Sequence, residues 1–242
     1  MEYLKLSKRL TAAALMALRG DSVKNGAADI GTDHALLPVY LCQRGCPRVI
    51  ASDINEGPTK RARDTIERFG MSDRINAVCR DGLDDIGSFS PGVVIICGMG
   101  GELIADILSR SDYPSVSGCR LVLQPMTMQA KLRRYLAENG FGIDDETVVL
   151  DDGKYYQLIS AYHTGERYTM TSDEYTLGRL NIGRIERAGD NMNDTDRGWL
   201  THLCDAAERR IDGRKGSKAQ DTDAQTEDIM LTRRIHDLLL HH

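Results

Sequence analysis

The sequence predicts an α/β protein: a seven-stranded, mostly parallel sheet with an antiparallel edge strand, followed by a C-terminal α-helical, coiled-coil-like part. Three observations carry this. From residue 25 to 162, short apolar runs alternate with helix-compatible segments. The runs are continuous rather than alternately polar, which suits strands covered on both faces. Beyond about residue 166 strand-like runs cease, and apolar residues recur at helical spacing. The expected domains are therefore residues 1–165 and 166–242.

In chain order, Leu10–Leu18 comes first. Lys5, Lys8 and Arg9 before it mimic a secretion signal, but no small-residue cleavage site follows, so it reads as a helix of the mature fold. The expected strands are Ala27–Ile30, Val49–Ser52, Ile75–Val78, Val93–Ile96, Leu121–Leu123, Val148–Leu150 and Leu158–Ala161. Helices are expected over Ala35–Arg44, Thr59–Phe69, Gly101–Ser109 and Met128–Asn139. Asp151-Asp152-Gly153 reads as a hairpin turn, which makes the last strand the reversed one. In the C-terminal part, Leu180, Ile182 and Ile185, then Trp199 to Ile211, then Ile229 to Leu239 predict two or three helices. Asp194 or Thr195 is the expected cap of the middle one, with Gly213 and Gly216 at its end. Residues 213–226 read as a polar connection. His241-His242 resemble the start of a purification tag and receive no function.

Composition narrows the function. Of 242 residues, 41% are apolar and only 5% aromatic, which disfavours a single-strand binder built on rows of stacking rings. The net charge of −5 disfavours nucleic-acid binding by bulk charge, though not by a local patch. No run nears the roughly 20 apolar residues of a membrane span. The six cysteines form no CxxC or Cys/His zinc pattern, so no metal is expected and they read as reduced cytosolic thiols.

The chemistry lies at strand ends. Asp29-Ile30-Gly31-Thr32-Asp33-His34-Ala35 joins the first strand to a helix, where open α/β sheets place their ligand crevice. Asp33 occupies the second glycine position of the dinucleotide pattern, and its carboxylate would repel a pyrophosphate but suit a cation. Asp53 ends the second strand, placed to accept both ribose hydroxyls. Asp81, before Gly82, ends the third, placed to accept an adenine amine. A nucleoside bearing a cation, S-adenosylmethionine, meets all these demands, whereas NAD meets only the ribose one. Cys97-Gly98-Met99-Gly100-Gly101 lets main chain approach a flat ligand, with Gly98 a cofactor contact and Gly98 to Gly101 also facing the methyl acceptor. Gln124-Pro125 ends the fifth strand, where Gln124 serves either an acceptor base or the loop backbone. His34 is read as orienting the cofactor rather than as a base.

With these residues assembled, the chain resembles the bacterial tRNA (adenine-22-N1)-methyltransferase family over roughly residues 4–162. The resemblance rests on Ser7-Lys8-Arg9-Leu10, Asp29–Ala35 with Leu37-Pro38, Asp53 with Gly57-Pro58, Cys97–Gly101 and Leu123-Gln124-Pro125. It implies a Rossmann-like class I methyltransferase fold, S-adenosylmethionine as methyl donor, tRNA as partner and a C-terminal part that helps engage it. Met126 departs from the family, which commonly carries Asn there.

Adenine N1 has an in-plane lone pair and no proton at neutral pH, so methyl transfer requires no general base. Catalysis is expected from positioning and a preorganised field. Lys5, Lys8, Arg9 and Arg19, joined by Arg209, Arg210, Arg214, Lys215 and Lys218, are the candidate RNA contacts; Lys8, Arg9, Arg209 and Arg210 head them. A cytoplasmic monomer is expected. Two rivals remain: a methyltransferase of a small molecule or protein with a helical dimerisation tail, and a non-catalytic nucleotide-binding or interaction protein.

Overall fold

The computed structural model describes residues 4–214 and 222–240. These divide into two compact units, Met1–Thr169 and Met170–His242.

In the first unit the elements are α1 (Lys8–Ala17), β1 (Ala27–Ile30), α2 (Leu36–Gln43), β2 (Val49–Asp53), α3 (Glu56–Arg68), β3 (Ile75–Cys79), β4 (Val93–Met99), α4 (Gly101–Ser109), α5 (Tyr113–Ser117), β5 (Arg120–Pro125), α6 (Gln129–Glu138), β6 (Phe141–Asp151) and β7 (Lys154–His163). The strand order is β3-β2-β1-β4-β5-β7-β6. β1 to β5 pair in parallel, while β7 runs antiparallel to both β5 and β6. The antiparallel margin of the sheet is thus a hairpin with β6 outermost. Its turn has positive φ at both Asp152 and Gly153, the twist a two-residue hairpin needs. β6 is longer than the sequence suggests because a register shift between Ile143 and Asp145 breaks its pattern.

The continuous apolar strands split their side chains between two cores. Val93 and Ile95 join Ala14, Leu41 and Ile66 on the face covered by α1, α2 and α3. Val94 and Ile96 join Ile104, Leu108, Leu132 and Leu136 beneath α4 and α6. Each such buried Val, Leu or Ile side chain is worth about 1.5–3 kcal/mol. A buried ion pair interrupts the packing. Arg133 donates to Glu146 at 2.7 Å and to Gln157 at 2.6 Å, with Arg133 and Glu146 almost wholly excluded from water.

The start of α1 is tied to the hairpin. Asp151 accepts the Arg9 amide at 3.0 Å, and that amide with the Ser7 hydroxyl holds its carboxyl below the usual range. A carboxylate at a helix N-terminus is favoured by the exposed amides there.

The second unit holds α7 (Ser172–Leu177), α8 (Arg179–Ala188), α9 (Asp194–Arg214) and α10 (Thr222–Leu240). α7 opens on a capping box in which Thr171 and Glu174 satisfy each other's backbone amides. The cap of α9 is Asn193, whose side-chain oxygen accepts the Asp196 amide at 2.9 Å. Asp194 and Thr195 therefore lie inside the helix, correcting the expected cap. α9 is described as far as Arg214, one residue past Gly213. Gly216, Lys215, Lys218 and His241-His242 lie outside the described residues. Partners Cys204 with His236, Arg210 with Asp228 and Arg214 with Ala224 descend on one helix as they rise on the other, so α9 and α10 are antiparallel.

Candidate active site

The parallel strands end together at one edge of the sheet, and their loops build the site. Asp29 pairs in register with Ala51, and Asp53 with Cys79, so Asp29, Asp53 and Asp81 sit at the ends of three neighbouring strands. The Gly31 and Thr32 amides both donate to the Ser52 carbonyl, at 2.8 and 2.9 Å, which fastens the loop after β1 to the end of β2.

A cavity of about 340 Å³ opens here, lined by Arg9, Asp29, Gly31, Asp33, His34 and Gly98, with Leu10, Leu37 and Cys97 among its other walls. Asp29 is its buried anion. Burial pushes this carboxyl up to about 6, with the Thr32 hydroxyl pulling the other way, so the group is ionised at neutral pH but poorly solvated. Such a carboxylate gains most from a cationic ligand. Burial, then the Asp29 charge, push the Cys97 thiol up to about 12 against the pull of Arg9, so it is no nucleophile.

The other acids are more exposed and already partnered. Asp33 meets the Arg61 guanidinium, with Nε at 3.1 Å, and lies 3.3 Å from His34 Nε2. Asp53 accepts the Asn55 amide at 2.8 Å through one oxygen. Arg110 grips Asp81 through two nitrogens, at 2.7 and 3.2 Å, and holds its carboxyl below the usual range. Gly82 lies against Ile107 of α4. Asp53, Asp81 and Gly82 thus stand at the strand ends outside the walls of the cavity.

The loop after β4 is shaped by two glycines. Gly98, at φ 82°, forms a bulge that shifts the β4–β5 register and turns its amide onto Gln124 Oε1, 3.1 Å away. At Gly101 a Cβ would come within 2.4 Å of the Met128 carbonyl oxygen, so only glycine admits this approach of α4 to the following loop. Met99 and Gly100 complete the turn, and the Met99 carbonyl accepts the Met126 amide at 2.8 Å.

Gln124 resolves to one of its two expected roles. Its Oε1 accepts from Gly98 and from Arg9 Nη1 at 2.5 Å, and its Nε2 donates to the Pro125 carbonyl at 3.0 Å and toward Met126 Sδ at 3.6 Å. Fully buried and with four partners, its amide has no capacity left for an acceptor base. Gln124 and Pro125 shape the loop instead.

Three RNA candidates also change character. Arg9 turns into the cavity, on Gln124 and 5.3 Å from the Tyr156 ring centre, where an outward phosphate contact had been expected. Its place in Ser7-Lys8-Arg9-Leu10 was visible in the sequence; its inward direction follows from the tether of α1 to Asp151. Arg210 is bound by Asp228, with Nε 3.1 Å from both oxygens, and Arg214 reaches the same carboxylate at 2.6 Å. Both belong to the α9–α10 pairing. Lys8 and Arg209 are exposed, and Arg19 pairs with Asp145. Among the described residues, no helix is long and apolar enough to cross a membrane.

A methyltransferase-domain family model matches residues 6–159. Over 170 residues the chain is 36% identical to the tRNA (adenine(22)-N(1))-methyltransferase of Bacillus subtilis strain 168, covering 69% of this chain and 68% of that protein. The crystal structure of the B. subtilis M1A22 tRNA methyltransferase superposes with a TM-score of 0.77 at 28% identity, covering 98% of both chains. The M. capricolum enzyme TrmK, solved with S-adenosyl-homocysteine, shares the fold with a TM-score of 0.72 at 24% identity, covering 97% of this chain and 96% of that one.

Proposed function

The chain belongs to the tRNA (adenine(22)-N(1))-methyltransferase family, and from that premise we propose that it transfers a methyl group from S-adenosylmethionine to N1 of adenine 22 in tRNA. The observation that supports this best is the buried Asp29 carboxylate in a cavity with Gly31 and Gly98 backbone. A poorly solvated anion there suits the ammonium and sulfonium of that nucleoside. Asp53 has an oxygen to spare for the ribose hydroxyls, and Asp81, oriented by Arg110, retains lone pairs for the adenine amine. Asp33 and His34 border the same cavity as orienting groups.

Bound S-adenosylmethionine supplies an electrophilic methyl group on a positively charged sulfur. The chain's own work is placement. Adenine N1 attacks with its in-plane pair, the methyl–sulfur bond breaks as the methyl–nitrogen bond forms, and the cationic charge passes from sulfur to the base. No proton moves, so no side chain has to take one. Leu103, Met126 and Met128 are exposed apolar side chains on the elements flanking the Gly98–Gly101 loop, and they suit the face of an extruded base. Met126, where the family commonly carries Asn, fits this apolar reading.

Residues 1–165 carry the chemistry on this proposal, and 166–242 engage tRNA, with Lys8 and Arg209 as phosphate contacts. On this proposal the protein acts in the cytoplasm, as a monomer. The test is to incubate the full chain with transcribed tRNA and labelled S-adenosylmethionine and to locate the product by nuclease digestion and mass spectrometry. One-methyladenosine at position 22, absent from a transcript with guanosine there, is expected. Label on another atom, or none in tRNA, would overturn the proposal.

A further inference from the structure

The second unit carries a donor cluster that methyl transfer does not use. Cys204 and Glu208 lie one turn apart on α9, and His236 faces them from antiparallel α10. Cys204 Sγ is 3.4 Å from His236 Nε2 and 3.8 Å from Glu208 Oε1, and the latter two atoms are 3.9 Å apart. These atoms form a closed triangle of one sulfur, one nitrogen and one oxygen.

That triangle has the dimensions of a tetrahedral face. Metal–sulfur bonds of about 2.3 Å and metal–nitrogen or metal–oxygen bonds of about 2.0–2.1 Å give edges of roughly 3.6 Å from sulfur and roughly 3.3 Å between nitrogen and oxygen. The observed separations lie within about 0.6 Å of these, and the half-exposed Glu208 and His236 side chains have room to close the difference. The cysteine is the buried corner, whereas the other two donors are open to solvent. Packing alone explains a buried small thiol in a helix pair, but it does not explain an imidazole and a carboxylate both converging on it.

We propose that Cys204, Glu208 and His236 form a site for a zinc-class divalent cation that staples α9 to α10. Thiolate and imidazole select against magnesium and calcium, which favour all-oxygen sites. Binding displaces the Cys204 proton to solvent, leaving a thiolate on the metal, and Nε2 of neutral His236 and one Glu208 oxygen complete three protein ligands. Glu208 and His236 also border a hollow of about 490 Å³, whose other walls include Asp212, Thr232, Arg233 and Asp237, room enough for a water as fourth ligand. The sequence hides this site because its ligands come from two helices, at positions 204, 208 and 236, with no short Cys/His spacing.

The test uses the full chain with His241 and His242 replaced by alanine, stripped with chelator. Zinc is titrated in competition with a chromophoric indicator, and cobalt is added separately for its spectrum. One equivalent of tight zinc is expected, with a thiolate-to-cobalt charge-transfer band and the intense visible bands of a tetrahedral ion. Cys204→Ser removes the buried ligand; Glu208→Gln and His236→Gln alter only half-exposed ones, so they decide the matter if the first fails to fold by circular dichroism. Each folded variant should weaken zinc by more than roughly 100-fold, beyond the usual cost of losing a mere supporting partner. No stoichiometric binding, no thiolate band, or unchanged affinity in the folded variants would overturn the site and leave the cluster a hydrogen-bonded contact.

Discussion

Replacing Asp29 by asparagine removes one charge from a buried position while keeping its shape. The native carboxyl is pushed from an ordinary 3.8 up to about 6. Two pKa units at about 1.4 kcal/mol each amount to roughly 3 kcal/mol of destabilisation at neutral pH. The sign follows from proton binding. Between about pH 3.8 and about pH 6 the native state keeps a proton that the unfolded chain has lost, so Asp29's contribution to stability is complete below that window and falls away across it. An asparagine side chain cannot titrate, so Asp29→Asn should match wild type near about pH 4 and exceed it by up to about 3 kcal/mol at about pH 7.5. The assay is urea unfolding at a series of pH values, followed by circular dichroism because the single tryptophan, Trp199, lies in α9 of the other unit. The same variant should bind S-adenosylhomocysteine roughly 10- to 100-fold more weakly, through loss of a charge-assisted contact. A stability difference that does not change with pH, or an unstable variant, would refute the reasoning about Asp29.

Other expectations follow from the same geometry. His34→Gln should keep the single-turnover methylation rate within about tenfold of wild type, because general bases contribute about 10²–10⁴-fold; a larger loss would mean that His34 moves a proton. Gly101→Ala drives a Cβ against Met128 backbone at 2.4 Å, so methyl transfer should fall about 100-fold or more. Its affinity for S-adenosylhomocysteine, measured by calorimetry, should stay near normal, since the added Cβ strikes Thr127 and Met128 backbone and none of the three strand-end carboxylates. Arg133→Ala removes the guanidinium from which buried Glu146 accepts and should destabilise by about 3–5 kcal/mol. Thermal unfolding of the sheet unit should register this as a fall of roughly 10 °C.

Much of this was legible in the sequence, and the boundary has a physical cause. Apolar strands such as Val93–Ile96, buried on both faces, announce themselves through composition, and strand-end acids such as Asp29 and Asp53 follow from where strands stop. The hairpin turn could be read from Asp152-Gly153 because turn geometry is local. Side-chain direction is not local. Arg9 turns inward because Asp151, far along the chain, holds the first amides of its helix. Gln124 serves the loop because the Gly98 bulge, on a neighbouring strand, aims an amide at it. Arg210 left the RNA candidates through a partner, Asp228, on the other helix of its pair. In α7 the Thr171-to-Glu174 capping box was present in the sequence and would have marked that short helix. The length of β6 was hidden by polar Asp144 and Asp145, which mask a strand that bulges there.

Crystals of the full chain grown with S-adenosylhomocysteine offer the most direct trial. The nucleoside should lie along the ends of β1, β2 and β3, its amino group toward Asp29, its ribose diol on Asp53 and its purine amine facing Asp81. A well-defined nucleoside bound anywhere else, with those three carboxylates meeting only solvent or their present arginine partners, would contradict the account.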